Sequence, residues 1–174
     1  REEQPDYLAI AFDPKGPTVR HEAFAEYKAH RHAMPSDLAL QIPYIFELVR
    51  AYNIPLLLEE GYEADDVLGS VTKEAERRGF AVTIVSGDKD MLQLVSPQVR
   101  VLDTMKDKVF QEKEVWEKFG VKPAQVVDVL GLMGDSSDNI PGVPGIGQKT
   151  AAQLINQFDN LENLLAHLNQ VDRK

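Results

Sequence analysis

Short apolar runs that stop at carboxylates recur along this chain, and they restrict its fold more than any other feature. Residues 7–12 (YLAIAF) end at Asp13-Pro14, residues 54–58 lead into Gly61-Tyr62-Glu63-Ala64-Asp65-Asp66, and residues 80–85 (FAVTIV) run into Ser86-Gly87-Asp88-Lys89-Asp90. Continuous apolar runs of this length read as buried parallel strands, and the Pro- and Gly-containing stops cannot continue them. A further acidic pair, Gly134-Asp135-Ser136-Ser137-Asp138-Asn139, closes a helical pattern over 123–133. Parallel strands deliver their carboxyl ends to one sheet edge, where open α/β folds place their chemistry. The expected class is therefore α/β, a mostly parallel central sheet flanked by helices. Each acid also has an ordinary reading: Asp13 as a turn former before Pro, Glu63 or Asp65 as a helix cap, Asp88 as a cap for residues 91–94.

Helical periodicity fills the gaps between these runs. Ala64, Val67, Leu68, Val71 and Ala75 share one face of a helix that starts at the acids. Residues 37–52, capped by Pro35-Ser36, form another, with Leu38, Ile42, Ile45, Phe46 and Val49 inward and Pro43 expected to kink or split it. Residues 18–34 are polar and helix-compatible. Their Arg20, Lys28 and Arg31 interleave with Phe24 and Tyr27, which is either a solvated face or the aromatic-plus-cation pattern that binds single-stranded nucleic acid. His21, His30 and His32 have no matching cluster elsewhere, so a zinc-type site is set aside. A short hairpin is expected from 99–102 and 108–110, and helices over 112–119 and 123–133 with Trp116, Phe119, Val126, Val127 and Leu130 in the core. Residues 140–150, with Gly142, Gly145 and Gly147, then form a hairpin before a helix over 151–158, and a last helix covers about 161–168. Backbone amides at such a helix start hold anions, and Lys149 and Thr150 add a cation and a hydroxyl. The spacing is not that of a nucleotide-hydrolase phosphate loop.

With 174 residues and 43% hydrophobic content, the chain can bury one full core and a small helical appendage. It has no cysteine, which excludes disulfides and thiolate metal sites. No apolar run reaches membrane-spanning length, and residues 1–6 (REEQPD) are no signal peptide. Without an initial Met, the sequence is expected to start inside a longer protein. The net charge is −9, yet setting aside Asp13, Glu63, Asp65, Asp66, Asp88, Asp90, Asp135 and Asp138 leaves the rest nearly neutral. Eight carboxylates in one cleft repel unless cations join them. Oxygen-only ligands favour Mg²⁺ or Mn²⁺, and two such ions about 4 Å apart activate a water and stabilise a leaving phosphodiester oxygen. With a phosphate-gripping hairpin downstream, the residues point to a metal-dependent DNA nuclease.

Six segments carry a resemblance: Phe12-Asp13-Pro-Lys-Gly, Arg20-His-Glu with Tyr27-Lys28 and Arg31, Gly61-Tyr-Glu-Ala-Asp-Asp66, Ser86-Gly-Asp-Lys-Asp90, Gly134-Asp-Ser-Ser-Asp-Asn139 and Gly142-Val-Pro-Gly-Ile-Gly-Gln-Lys-Thr-Ala151. In order and over nearly the whole chain, they resemble the 5′-nuclease domain of bacterial DNA polymerase I, within the flap endonuclease family. The resemblance implies a PIN-like nuclease core over 1–134 with a helical arch at about 15–35, and a helix-hairpin-helix subdomain over 135–174. It implies a monomeric 5′→3′ exonuclease and flap endonuclease that removes RNA primers and displaced strands in replication and repair, in the cytoplasm of a bacterium and at its nucleoid. Asp13, Glu63 and Asp65 would face a first metal, and Asp66, Asp88, Asp90, Asp135 and Asp138 a second. Arg20, Tyr27, Lys28 and Arg31 would contact the 5′ strand, with Arg20 and Lys28 at the scissile phosphate. Gly142, Val143, Gly145, Ile146, Gly147, Lys149 and Thr150 would hold the duplex, with a K⁺ ion. Family members also carry an N-terminal strand ending in a metal-binding Asp, absent before Asp13 here, and continue past residue 174, in the polymerases with synthetic domains.

Two rivals stand beside the nuclease. One is a DNA-binding module that grips phosphates without cutting. The other is a phosphatase or receiver-type domain, which needs a nucleophilic Asp-x-Asp after the first strand, where Asp13-Pro14-Lys15 offers none.

Overall fold

The computed structural model describes residues 4–171, so the first three residues of the 1–6 segment and the last three of the tail lie outside the described residues. The chain gathers into two compact units that divide between Ser70 and Val71.

In the first unit β1 (Ile10–Ala11) runs parallel to β2 (Leu56–Leu57), with Ile10 opposite Leu56. Backbone bonds from Ile10 N to the Pro55 carbonyl and from Phe12 N to that of Leu57, both 3.0 Å, extend the pairing. The apolar runs are thus strands only at their centres, and Tyr7 and Leu8 face solvent. Phe12 packs edge-on against Phe46, ring centroids 4.7 Å apart.

Proline splits the next segment as expected. Helix α2 (Ser36–Ala39) stops, and α3 (Ile42–Ala51) restarts with Pro43 in its first turn, where a missing N–H costs nothing. Val49 is buried, whereas Leu38 lies on the exposed side and is not a core residue. The stretch 18–34 is helical only over α1 (Val19–Ala23). Phe24 turns extended at φ −146° and Lys28 sits in the left-handed region at φ +54°, so tight turns replace the longer helix. Helix α4 (Ala64–Arg77) begins at the acidic cluster, and the division between the units falls within it.

In the second unit β3 (Val82–Val85) runs parallel to β4 (Val99–Asp103), which pairs antiparallel with β5 (Lys108–Phe110), the expected hairpin. Val99, Val101 and Asp103 of β4 point inward, as period-two alternation requires. Asp103 is only 2% exposed. It closes the hairpin turn by accepting the Met105 and Lys106 amides and the Lys106 ammonium at 2.8 Å.

Helix α5 (Glu112–Phe119) stops at Gly120, whose left-handed φ of +74° returns its N–H to the Trp116 carbonyl. Val115, Phe119, Val121, Val126, Val129 and Ile155 fill the core with Leu92, Val99 and Val101. Each such side chain contributes about 1.5–3 kcal/mol of burial. Trp116 corrects the sequence reading: at 50% exposure it belongs to the surface, as does Val127. Val71 of α4 is likewise exposed.

The chain ends in a helix-hairpin-helix. Helix α6 (Val126–Met133) leads into the two-residue strands β6 (Gly134–Asp135) and β7 (Ile140–Pro141), then to α7 (Gln148–Phe158), which packs on α6, and α8 (Leu161–Ala166). Helix α7 starts three residues earlier than its sequence pattern, directly after Gly147. The crossing at Gly134 and Gly142 leaves no room for a side chain. A Cβ on Gly142 would overlap the Met133 carbonyl group, and one on Gly134 would lie 2.7 Å from the Ile140 carbonyl oxygen. Gly145 differs, with φ +83° and open space around it.

Gly142→Ala is therefore expected to destabilise the fold by about 3 kcal/mol, since overpacking against backbone costs about 1–3 kcal/mol and occasionally more. Gly145→Ala should cost only the left-handed strain of about 1 kcal/mol. Urea unfolding of the two variants checks the order; equal midpoints would contradict the close-approach account.

Candidate metal centre and nucleic-acid interface

Two acidic groups are built, one in each unit. In the first, the start of α4 holds the carboxylates in place. Asp13, just past β1, accepts the Ala64 N–H at 2.7 Å, and Asp66 accepts the Glu63 N–H at 3.0 Å. The capping role that acids play at helix starts is thus realised here by a residue 51 positions away.

Side chains from the 18–34 segment pair with Asp66 and Glu63. Arg20 grips Asp66 with both arms of its guanidinium, at 2.6 and 2.7 Å. Its hydrogen bond holds the Asp66 carboxyl below the usual range, against the opposing effect of burial. Glu63 is 7% exposed, and its two oxygens take the Lys28 ammonium at 2.7 Å and the Tyr27 hydroxyl at 2.8 Å. Burial pushes Glu63 upward, but the bonds from Lys28 and Tyr27 outweigh it and leave the group below its ordinary value. Tyr27 is itself only 5% exposed, packed edge-on against His21 at 5.2 Å. Its ring is therefore part of the wall behind Glu63, which its place among surface cations did not signal. Asp65 sits half-buried in the first turn of α4.

In the second unit Asp90 follows β3 in a 3₁₀ turn over Lys89–Leu94, Asp135 ends β6, and Asp138 lies in the turn before β7. One oxygen from each can lie within 4.8 Å of the others, the arrangement that can hold a metal ion. Asp90 Oδ1 is buried with no hydrogen-bond partner among the described residues. Burial first, then repulsion from Asp88 and Asp135, pushes the Asp90 carboxyl up to about 6. A buried, unpartnered carboxylate oxygen beside two other acids fits a hard divalent cation. Lys89 supplies one positive charge already, its ammonium 2.8 Å from Asp135 Oδ1. Asp88 stands outside this trio. It is exposed and caps the 3₁₀ turn, its Oδ1 accepting the Asp90 N–H at 2.9 Å.

The glycine-rich turn places Gly147 as the N-cap of α7, with Lys149 and Thr150 exposed in the first helical turn. Val143 and Gly145 are exposed beside it, and the Ile146 N–H is spent on the Val143 carbonyl. Gly142 serves the hairpin crossing, as described above. Arg31 is exposed beyond the Lys28 turn, and its N–H bonds the Lys28 carbonyl.

Residues 1–120 match the family model described as "5'-3' exonuclease, N-terminal resolvase-like domain", and residues 121–174 the one described as "5'-3' exonuclease, C-terminal SAM fold". The chain belongs to the 5'-3' exonuclease family. Among relatives of this exonuclease-family chain, DNA polymerase I of Bacillus caldotenax is 49% identical over 98% of it. The 5'-3' exonuclease of Aquifex aeolicus is 42% identical over 100% of it. The chain spans 20% of the first protein's length and 60% of the second's. A bacteriophage T5 flap endonuclease, solved as a pseudo-enzyme–product complex with DNA and metal ions, superimposes with a TM-score of 0.86 at 25% identity, covering 99% of this chain and 68% of that one. Among the described residues of the exonuclease-family chain, no helix is long and apolar enough to cross a membrane.

The raised proton affinity of Asp90 has a consequence for stability. Its folded carboxyl holds a proton up to about pH 6, whereas the ordinary group releases it near 3.8, so rising pH costs stability between those values. Asp90→Asn is expected to raise the metal-free unfolding midpoint at pH 7, with the gain shrinking towards pH 4. Thermal melts in chelator at both pH values check this; a gain independent of pH would count against the repulsion.

Proposed function

We propose that this chain is the 5′-nuclease module of a longer protein, hydrolysing phosphodiester bonds at 5′ ends and flaps of DNA and at RNA primer junctions. The observation that carries the reading is the Asp90–Asp135–Asp138 trio with its unpartnered Asp90 oxygen, in a chain of the 5'-3' exonuclease family from end to end. The matching polymerase I relatives support attached synthetic domains, and with them a place in replication and repair at the bacterial nucleoid. The T5 complex with DNA and metal supports the substrate class.

The carboxylates divide by role. Asp90, Asp135 and Asp138, with Asp88 beside them, hold one Mg²⁺ or Mn²⁺ ion; Asp13, Glu63 and Asp65 serve a second. We place Asp66 with them, rather than with Asp88 where the resemblance puts it, because its carboxylate accepts the Glu63 N–H. Bound ions of this kind lower the pKa of a water and offset charge on the leaving oxygen. The chain's own residues do the rest. Tyr27 and Lys28 fix both oxygens of Glu63, so the carboxylate keeps one orientation. Arg20 fixes Asp66 in the same way and, like Lys28 and Arg31, is available to a phosphate once divalent cations take over the acids. We assign residues 15–35 as the strand-threading arch of a nuclease core over 1–134. Residues 135–174 are the duplex-holding part, where Lys149, Thr150 and the α7 amides meet the backbone beside a K⁺ ion.

A 5′-flap substrate with Mn²⁺ tests this. Asp90→Ala should lower cleavage by about 1,000-fold, the several kcal/mol that metal assistance supplies, with DNA affinity kept or improved as repulsion is relieved. Parent-rate cutting would remove Asp90 from the site, and binding without cleavage by the parent chain would leave only a DNA-binding module. Lys149→Ala should weaken duplex binding at every sequence alike and reduce the salt slope by about 1. A sequence-selective loss would contradict a phosphate contact.

A further inference from the structure

We propose that Lys106, Lys108 and Lys118 form a second contact for a sugar–phosphate backbone, on the β4–β5 hairpin and the end of α5. The inference rests on the DNA-processing reading above and extends its footprint. Lys108 and Lys118 share one aromatic ring, their ammonium nitrogens 4.8 and 5.2 Å from the Phe110 centroid. Lys118 also lies 5.5 Å from the Phe119 centroid. Both rings are buried, so they are fixed platforms for the two stems.

Among the described residues, neither Lys108 nor Lys118 has a carboxylate within ion-pair distance. Of the hairpin's acids, Asp103 and Asp107, the first has its oxygens spent on the Met105 and Lys106 amides and the Lys106 ammonium. Glu114 of α5 feels the Lys108 charge without pairing to it. Lys118 loses proton affinity first through burial and then through repulsion from Lys106, Lys108 and Lys89. Lys118 therefore lies close enough to the other three ammonium groups to feel each of them. Lys106 and Lys89 have acids of their own. In a chain of net charge −9, however, Lys108 and Lys118, held side by side with no ion pair among the described residues, are a cost that folding does not explain. Cation–π contacts return only about 0.5–1 kcal/mol each at exposed sites.

The layout favours a polyanion over a single small anion. The charges follow a path from the hairpin turn (Lys106) along β5 (Lys108) to the last turn of α5 (Lys118). There the Lys118 carbonyl accepts the Gln148 side-chain amide at 2.5 Å, and Lys149 is the next residue of α7. Lys89, whose ammonium holds Asp135 of the acidic trio, lies within electrostatic reach of Lys118. Ammonium groups spread over a hairpin, a strand and a helix end match a strand that carries a charge at every residue.

The test is fluorescence anisotropy of the whole chain with blunt duplex DNA, titrated with NaCl. Lys108→Gln/Lys118→Gln should bind about tenfold more weakly, with a log–log salt slope shallower by about 1–2. Lys108→Arg/Lys118→Arg, which keeps both charges, should bind like the parent. Lys73→Gln/Lys113→Gln changes net charge equally, but its lysines pair with Glu76 and Glu117, so it should bind within about twofold of the parent. Should the Gln pair lower the unfolding midpoint, Lys118→Met, which keeps the stem on both rings, replaces it. Parent affinity and slope in the charge-removed variant would overturn the track, as would an equal loss in the Lys73/Lys113 control. Failure of the parent to bind any DNA would instead bring down the reading beneath it.

Discussion

Carboxylates brought within a few ångströms of one another need positive charge, and much of this structure is organised around supplying it. In the first unit Arg20 and Lys28 satisfy Asp66 and Glu63. In the second, Lys89 satisfies Asp135 and leaves Asp90 with its proton affinity raised and one oxygen without a partner. The difference is chemical. Where a guanidinium fork or an ammonium plus a phenol reaches the acid, its pKa falls; where burial and neighbouring acids dominate, it rises. The second group is the one poised to gain most from a divalent ion. The first is held in shape by side chains that an ion would have to displace.

Those same side chains link local backbone to chemistry. Lys28 reaches Glu63 from a left-handed backbone conformation, and Tyr27 from a buried ring braced against His21. A regular helix over 18–34 would space Arg20, Tyr27 and Lys28 by helical turns. Instead Arg20 reaches Asp66 from the short helix α1, and the turns after it bring Tyr27 with Lys28 to Glu63. Local propensity yields here to the ion pairs, as tertiary context often overrides helix preference.

Much of this was legible in the residues. Apolar runs ending in acids located β1, β2 and β3, Pro43 located the break between α2 and α3, and two short runs flanking the polar stretch 103–107 located the β4–β5 hairpin. Acids at element ends led to one cleft of eight carboxylates and the resemblance to a set of five; three of them, Asp90, Asp135 and Asp138, lie together. What escaped was whatever depends on partners distant in sequence. Trp116 carries the largest apolar side chain of α5 yet lies outside, because Val115 and Phe119 take the inward face. Tyr27 reads as a surface aromatic until Glu63 is seen beneath it. Gly142 reads as one of three flexible glycines, and only the crossing with Met133 and Gly134 shows that its missing side chain matters for space.

That crossing also limits how the glycine-rich turn can diversify. With Gly134 and Gly142 locked by backbone contact, sequence drift or directed evolution of the turn is confined to the outward positions Val143, Pro144 and Gly145 and to the first turn of α7. The hinge point stays constant while its tip is free to change, so relatives with quite different tips should still superimpose there.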